Sequence, residues 1–130
     1  MPAKHYINED AQCITTVWRG DATVAGLTTA LQTYQLEIKG KAEYMAYNEL
    51  LDFSDIKSIN IQVKDLRRLG SLAVKKDSPE IITRLAIVVS TTFIFGLVRM
   101  YQTYRSLMPS STKELRVFKN KTDAENWLKH

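Results

Sequence analysis

The residues of this chain that could make or break bonds are few and scattered. Cys13 is its one thiol. It lies in an alternating stretch with no histidine close to it in sequence, and a thiol without a neighbouring base or cation keeps its proton. It reads as inert packing. His5 and His130 stand near opposite ends, where fraying is expected. No Cys/His cluster has metal-ligand spacing, so no zinc or other soft-metal site is expected. Neither Gly-x-Gly-x-x-Gly nor Gly-Lys-Ser/Thr occurs, so the usual glycine-rich phosphate loops are missing. Glu49, Asp52 and Asp55 gather at the end of an apolar run, but acid–base work needs a positioned partner and a shifted pKa. They read as solvated turn carboxylates. No catalytic residue, cofactor or metal follows from this set.

What remains is binding. The stretch VVSTTFIFGLVRMYQTY, residues Val88–Tyr104, opens as a strand and continues as a helix whose first two turns are apolar on every side. Ser90, Thr91 and Thr92 fall between the two, where α/β sheets commonly bind ligands and where free amides hold anions. Capping of the helix is their plainer role. At ~100° per residue, Phe93, Leu97, Met100, Tyr101, Tyr104 and Met108 share one side, which is expected to be core. Phe95 and Val98 fall roughly opposite, beside Arg99, Gln102 and Arg105. Ser90, Thr91, Thr92, Phe93, Phe95, Val98 and Arg99 are therefore the candidate ligand or partner surface, unless neighbouring helices cover it. A second candidate is the basic face Lys64, Arg67, Arg68 and Lys75. Such a face is ordinarily solvated, and otherwise suits an acidic partner or anionic lipid. No aromatic is interleaved with these charges, which argues against a single-stranded nucleic-acid groove.

The elements that must position these residues follow from periodicity. Lys4–Asn8 and the alternating Cys13–Arg19 predict two strands that pair as a hairpin, with Ile14, Thr16 and Trp18 on one face. Gly20-Asp21 ends the second, and Asp21 is placed to cap a helix with Val24, Leu27, Leu31 and Tyr34 on its inner side. A third strand lies within Tyr44–Phe53. A helix over about 60–76 points Leu66, Leu69 and Ala73 inward, and Asp77-Ser78-Pro79 breaks it. Leu85–Val89 is a branched apolar run, as in a strand buried on both faces. Glu114–Phe118 is the last strand. Thr122-Asp123-Ala124-Glu125 reads as a capping box opening a helix that carries Trp127 and Leu128. The order β-β-α-β-α-β-α-β-α requires crossovers. It predicts a single α/β domain over residues 1–130, with a mostly parallel sheet of about five strands.

Composition agrees. The 130 residues are 45% apolar and 25% charged, enough for one core. A net charge of +4 is mild for a nucleic-acid binder, and none is expected. The N-terminus MPAKHYINEDAQ has no apolar signal segment, and no run approaches the ~18 residues of a membrane span. With one cysteine and so no internal disulfide, the chain reads as a soluble cytoplasmic protein of bacterial style.

Three phrases, LLDFSDI, RLAIVVSTTFIFGLVRMYQTY and LRVFKNKTDAENWL, together with the element order, resemble the SpoIIAA-like family, which is related to STAS domains. The resemblance spans nearly the whole chain. It implies the fold, and through the related Sec14/CRAL-TRIO architecture it implies either a regulatory module or a lipid carrier. One departure matters. STAS antagonists carry a phosphorylatable serine at the start of the second helix, in a phrase like Asp-Ser-Ser-Gly-Leu. Here the matching place reads Ser58-Ile59-Asn60-Ile61-Gln62, with Ile61 about where the acceptor would be. Ser58 reads as a helix cap. The reading is a non-catalytic module acting by protein–protein recognition, as a homodimer, with a carrier of a small apolar ligand as the alternative. A pocket lined by Phe93, Leu97 and Tyr101 would favour the carrier.

Overall fold

The computed structural model describes residues 3–74, 81–108 and 112–129. The expected Asp77-Ser78-Pro79 breaker, Lys75 and His130 lie outside them. Among the described residues the strands are β1 (Ala3–Asn8), β2 (Cys13–Thr23), β3 (Asn48–Asn60), β4 (Thr83–Val88) and β5 (Lys113–Phe118). The helices are α1 (Val24–Tyr34), α2 (Val63–Val74), α3 (Thr92–Ser106) and α4 (Lys121–Lys129). The five strands make one sheet in sequential order, antiparallel between β1 and β2 and parallel from β2 to β5. The order and the mostly parallel sheet are those expected. Crossovers that step one strand at a time, all of one hand, put their helices on one face. α1, α2 and α3 cover that face, and α4 packs on the other over Leu50, Ala86 and Val88.

Two strands run further than their turn residues suggest. β2 continues past Gly20, whose φ of +90° only glycine adopts easily, through two register shifts that bend the strand. Thr23, not Asp21, caps α1, its side chain accepting the Gly26 N–H at 3.1 Å. β3 runs on to Asn60, so its second half pairs with β2 alone. This places Ser58 on a strand and not at a helix cap. Its hydroxyl donates to Asp21 Oδ1 at 2.9 Å. At the start of α2, Asp65 reaches back to accept the Gln62 N–H at 2.9 Å. α4 is capped two residues before the expected box: Asn120 Oδ1 accepts the Asp123 N–H and its amide donates to the Asp123 carboxylate, both at 2.8 Å.

β4 is buried on both faces, as its apolar run predicts. Leu66, Leu69 and Ala73 point inward from α2. Where α2 crosses α3, Gly70 leaves room that a Cβ would contest, since Met108 Cε would lie 3.1 Å from it. The close approach seats Tyr101 and Arg105 against α2.

The rotation of α3 differs from expectation. Its buried positions are Ile94, Val98 and Arg105, while Phe93 is 67% exposed and Met100 37%. Val98 belongs to the main core with Trp18, Ile87 and Ile94, and Phe95 is half-buried against it. The cause is that two polar residues face inward. Gln102 donates to the Leu115 carbonyl at 2.7 Å, and Arg105 is 3% exposed in a polar cluster described below. A wheel that sends Arg and Gln to solvent turns the helix the wrong way.

In Val98→Asp an unpaired charge is buried, at a cost of several kcal/mol, so circular dichroism should show loss of the fold. Phe93→Asp should remain folded, and an unfolded Phe93→Asp would contradict this rotation of α3. On the opposite face, Trp127 stacks on Phe118 with centroids 5.7 Å apart, and Arg84 donates to the Trp127 carbonyl at 2.7 Å. Because Trp127 is half-buried, Trp127→Ala should cost about 2 kcal/mol in chemical denaturation, less than the full burial value. An unchanged midpoint would mean that α4 does not dock.

Candidate functional site

Between the sheet and the three helices lies an apolar cavity of about 150 Å³. Its floor is the inner face of β1 to β4, including Trp18, Leu51 and Ile87, and its roof includes Leu27 and Leu31 of α1, Leu66 of α2, and Leu97 and Tyr101 of α3. The alternation that buries Ile14, Thr16 and Trp18 supplies the floor, and the 3.6-residue periodicity of α1 and α2 supplies much of the roof. Interiors of this size seldom leave voids larger than a water molecule. An apolar space of roughly 150 Å³ is large enough to admit benzene or xenon.

His5 stands in the cavity wall. It is not frayed: its Nδ1 lies 2.7 Å from Thr16 Oγ1, and its ring packs on Tyr34 with centroids 5.0 Å apart. Burial lowers its pKa, and the charge of Glu37 offsets part of that.

At the N-terminal ends of the parallel strands the interior turns polar. Glu49 opens β3, Thr83 opens β4 and Lys113 opens β5, all on the α1–α3 side. Glu49 and Lys113 form a buried ion pair, and Lys113 Nζ also donates to Thr83 Oγ1 at 2.7 Å. Beyond α1 the chain widens into a π-turn over Gln35–Lys39, which lets the adjacent residues Tyr34 and Gln35 both point inward. The Gln35 amide donates to the Leu72 carbonyl at 2.9 Å. Burial first, then the nearby Glu49 carboxylate, pushes the Tyr34 hydroxyl well above its ordinary pKa, so it keeps its proton. Arg105 lines the same region and lies over the Tyr101 ring, 5.9 Å from its centroid.

The residues singled out in the sequence do not converge on one site. Ser90, Thr91 and Thr92 are exposed beyond the end of β4, with Thr91 capping α3 by accepting the Ile94 N–H at 3.2 Å. Phe93 and Arg99 are also exposed, whereas Val98 is buried and lines the cavity. Phe95 carries Lys119 above its ring at 5.2 Å. Lys64, Arg67 and Arg68 are exposed on α2, with Arg67 over Tyr104 at 5.0 Å. Cys13 is half-buried, and its thiol pKa is raised by burial and by Glu49. Among the described residues no three metal-ligating side chains gather. Sequence reading has Glu49 solvated, Arg105 facing outward and Tyr34 as one of α1's inward residues, and it does not single out Lys113. A usable signal existed in the strand alternation: Glu49-x-Leu51-x-Phe53 and Lys113-x-Leu115-x-Val117 each put a charge in an inward slot.

The geometry can be matched to a known one. A crystal structure of an uncharacterised DUF3478-family protein from Shewanella loihica PV-4, described as having a SpoIIAA-like fold, superposes with a TM-score of 0.56 over 97% of this chain and 91% of that chain, at 19% identity. The chain has the SpoIIAA-like fold. No protein-family model and no curated protein matches the sequence. At that identity the SpoIIAA-like match concerns architecture alone. Among the described residues no helix is long and apolar enough to cross a membrane.

The lowered pKa of His5 gives a pH dependence with a definite sign. The unfolded chain binds the proton at the ordinary 6.5 and the folded chain only below it. Stability is therefore complete above that value and declines as pH falls through it towards the lower folded value. Melting temperature should drop on acidification from pH 7.5 to 5.5, and the drop should be shallower in His5→Gln. Equal slopes in the two proteins would contradict the assignment.

Proposed function

We propose that this SpoIIAA-like protein is a non-catalytic binding module that holds a small apolar ligand between its sheet and its three-helix layer. The observation that carries the reading is the cavity itself, about 150 Å³ with an almost wholly apolar lining. Leu97 and Tyr101 line it, although Phe93 does not. A guest of matching shape would bury its own apolar surface against that lining, which is favourable. The action is capture and release, without bond chemistry. Fluorobenzene is a suitable probe, since it is apolar, fits and is read directly by 19F NMR. Wild-type protein should shift or broaden its resonance. Leu97→Trp, which fills the cavity while remaining folded, should abolish the effect. A fluorobenzene signal untouched by wild-type protein would overturn the reading.

Recognition of a protein partner is the second reading, favoured by a separate feature. Phe93 and Met100 are exposed on α3, and Leu107, the residue that caps its C-terminal end, is 75% exposed. Residues seven apart drift only ~20° around a helix, so the three form one apolar line along its outer side. A second copy of the chain is the partner we infer. Sedimentation at about 100 μM should then give a dimer that Phe93→Asp converts to a monomer. Monomeric wild-type protein would remove this reading and leave the ligand reading standing.

A further inference from the structure

The two helices that roof much of the apolar cavity carry an outer side of mixed character. Lys64, Arg67 and Arg68 of α2 and Arg99 of α3 are exposed there. The one acidic residue in either helix is Asp65. It is 8% exposed, and its carboxylate accepts the Gln62 N–H. Exposed carboxylates such as Glu9, Glu37, Asp55 and Glu114 lie on other parts of the chain. The positive charge of α2 and α3 is therefore unbalanced within these two helices. Lys64 and Arg68 stand four apart on one face, a spacing at which like charges destabilise a helix. The fold gains nothing from that pair. Beside the charges, large apolar side chains are left in water: Val63 at the start of α2, Phe93 and Met100 on α3, and Leu107 at its end. The two sets form one surface, because Arg67 lies over the Tyr104 ring, 5.0 Å from its centroid, and Val63 is one turn from Arg67 on the same side.

We propose that this side of α2 and α3 docks on an anionic lipid surface, with its basic side chains at the headgroups and its apolar ones just below them. A lipid interface accepts both kinds of group at once. Anionic headgroups attract each Lys or Arg near them, and the apolar side chains of an interfacial helix sink to the start of the acyl region. A nucleic acid would meet the charges and leave the apolar side chains in water. In an isologous dimer through the same apolar line, each copy would bring its own Lys64, Arg67 and Arg68 towards the other's, a repulsion that headgroups do not present. The space beneath decides for lipid over an acidic protein. Leu66, Leu97 and Tyr101 line the apolar cavity from these same two helices, so its roof would face the phase in which an apolar guest dissolves. That choice rests on the apolar-ligand reading above.

The test is co-sedimentation of the full chain with two kinds of vesicle, phosphatidylcholine alone and phosphatidylcholine carrying about 30% phosphatidylserine. Wild-type protein should bind the anionic vesicles at least about tenfold more tightly, and less so as salt screens the charges. Lys64→Gln/Arg68→Gln, which removes a repulsive pair and stays folded, should lose about tenfold on those vesicles. Phe93→Ser should weaken the same binding severalfold. Equal binding to the two vesicles, or binding to neither, overturns the proposal, as does unchanged binding in either variant. A DNA duplex bound as tightly as the vesicles, by wild-type protein and Phe93→Ser alike, reassigns the surface to polyanions and also overturns it. Fluorobenzene on the same samples, read by 19F NMR, separates the two readings. A shifted fluorobenzene resonance without vesicle binding overturns the lipid surface and leaves the apolar cavity. Vesicle binding with fluorobenzene untouched overturns the cavity reading and leaves the lipid surface.

Discussion

The interior of this protein is organised around the buried pair formed by Glu49 and Lys113, whose side chains are 7% and 13% exposed. Two charges withdrawn from water are tolerable only together; removing one partner of such a pair costs roughly 3–5 kcal/mol. Their positions at the starts of β3 and β5, on either side of Thr83 in β4, tie the beginnings of the three strands together. Tyr34, Gln35 and Arg105, all buried, line the same space. The helices that carry them stand over a polar floor at one end of the sheet and an apolar floor at the other.

The two faces of the sheet are covered unequally. Three helices lie on one and the nine-residue α4 on the other. Parallel strands need burial on both faces, and α4 supplies it over Leu50 of β3 and Ala86 and Val88 of β4, two interior strands. It is fastened at its end by main-chain acceptors, with Arg84 donating to the Trp127 carbonyl and Asn48 to that of Leu128. Asn48 also accepts the Arg84 N–H at 2.9 Å, so one side chain joins β3, β4 and α4. The layer that encloses the cavity is the thicker one, with helices packed on each other as well as on the strands.

Sequence reading succeeded where burial follows a simple period. The alternation of Ile14, Thr16 and Trp18, the branched run in β4 and the inward stripe Leu66, Leu69 and Ala73 all reported their surroundings correctly. It failed where polar residues are buried. Arg105 and Gln102 on α3 were sent to solvent because exposure is the common fate of such residues, and the helix was rotated with them. Glu49 reads as a turn carboxylate because an ion-pair partner more than sixty positions away in sequence leaves no local mark. Gly20 and Ser58 looked like punctuation, but the β2–β3 pairing extends through both, since a bulge absorbs the glycine and Asp21 accepts the serine hydroxyl. The fold was thus legible and the interior site was not, because folds are written in periods and sites in departures from them.

The central claim is that a preformed apolar space separates the sheet from the three helices. Crystals of the protein under xenon pressure test it most directly, because xenon occupies dry, apolar cavities of this size and is seen by its anomalous scattering. Xenon is expected between Leu51 on β3 and Leu97 on α3. Side chains closed over that position, with no xenon there, would contradict it.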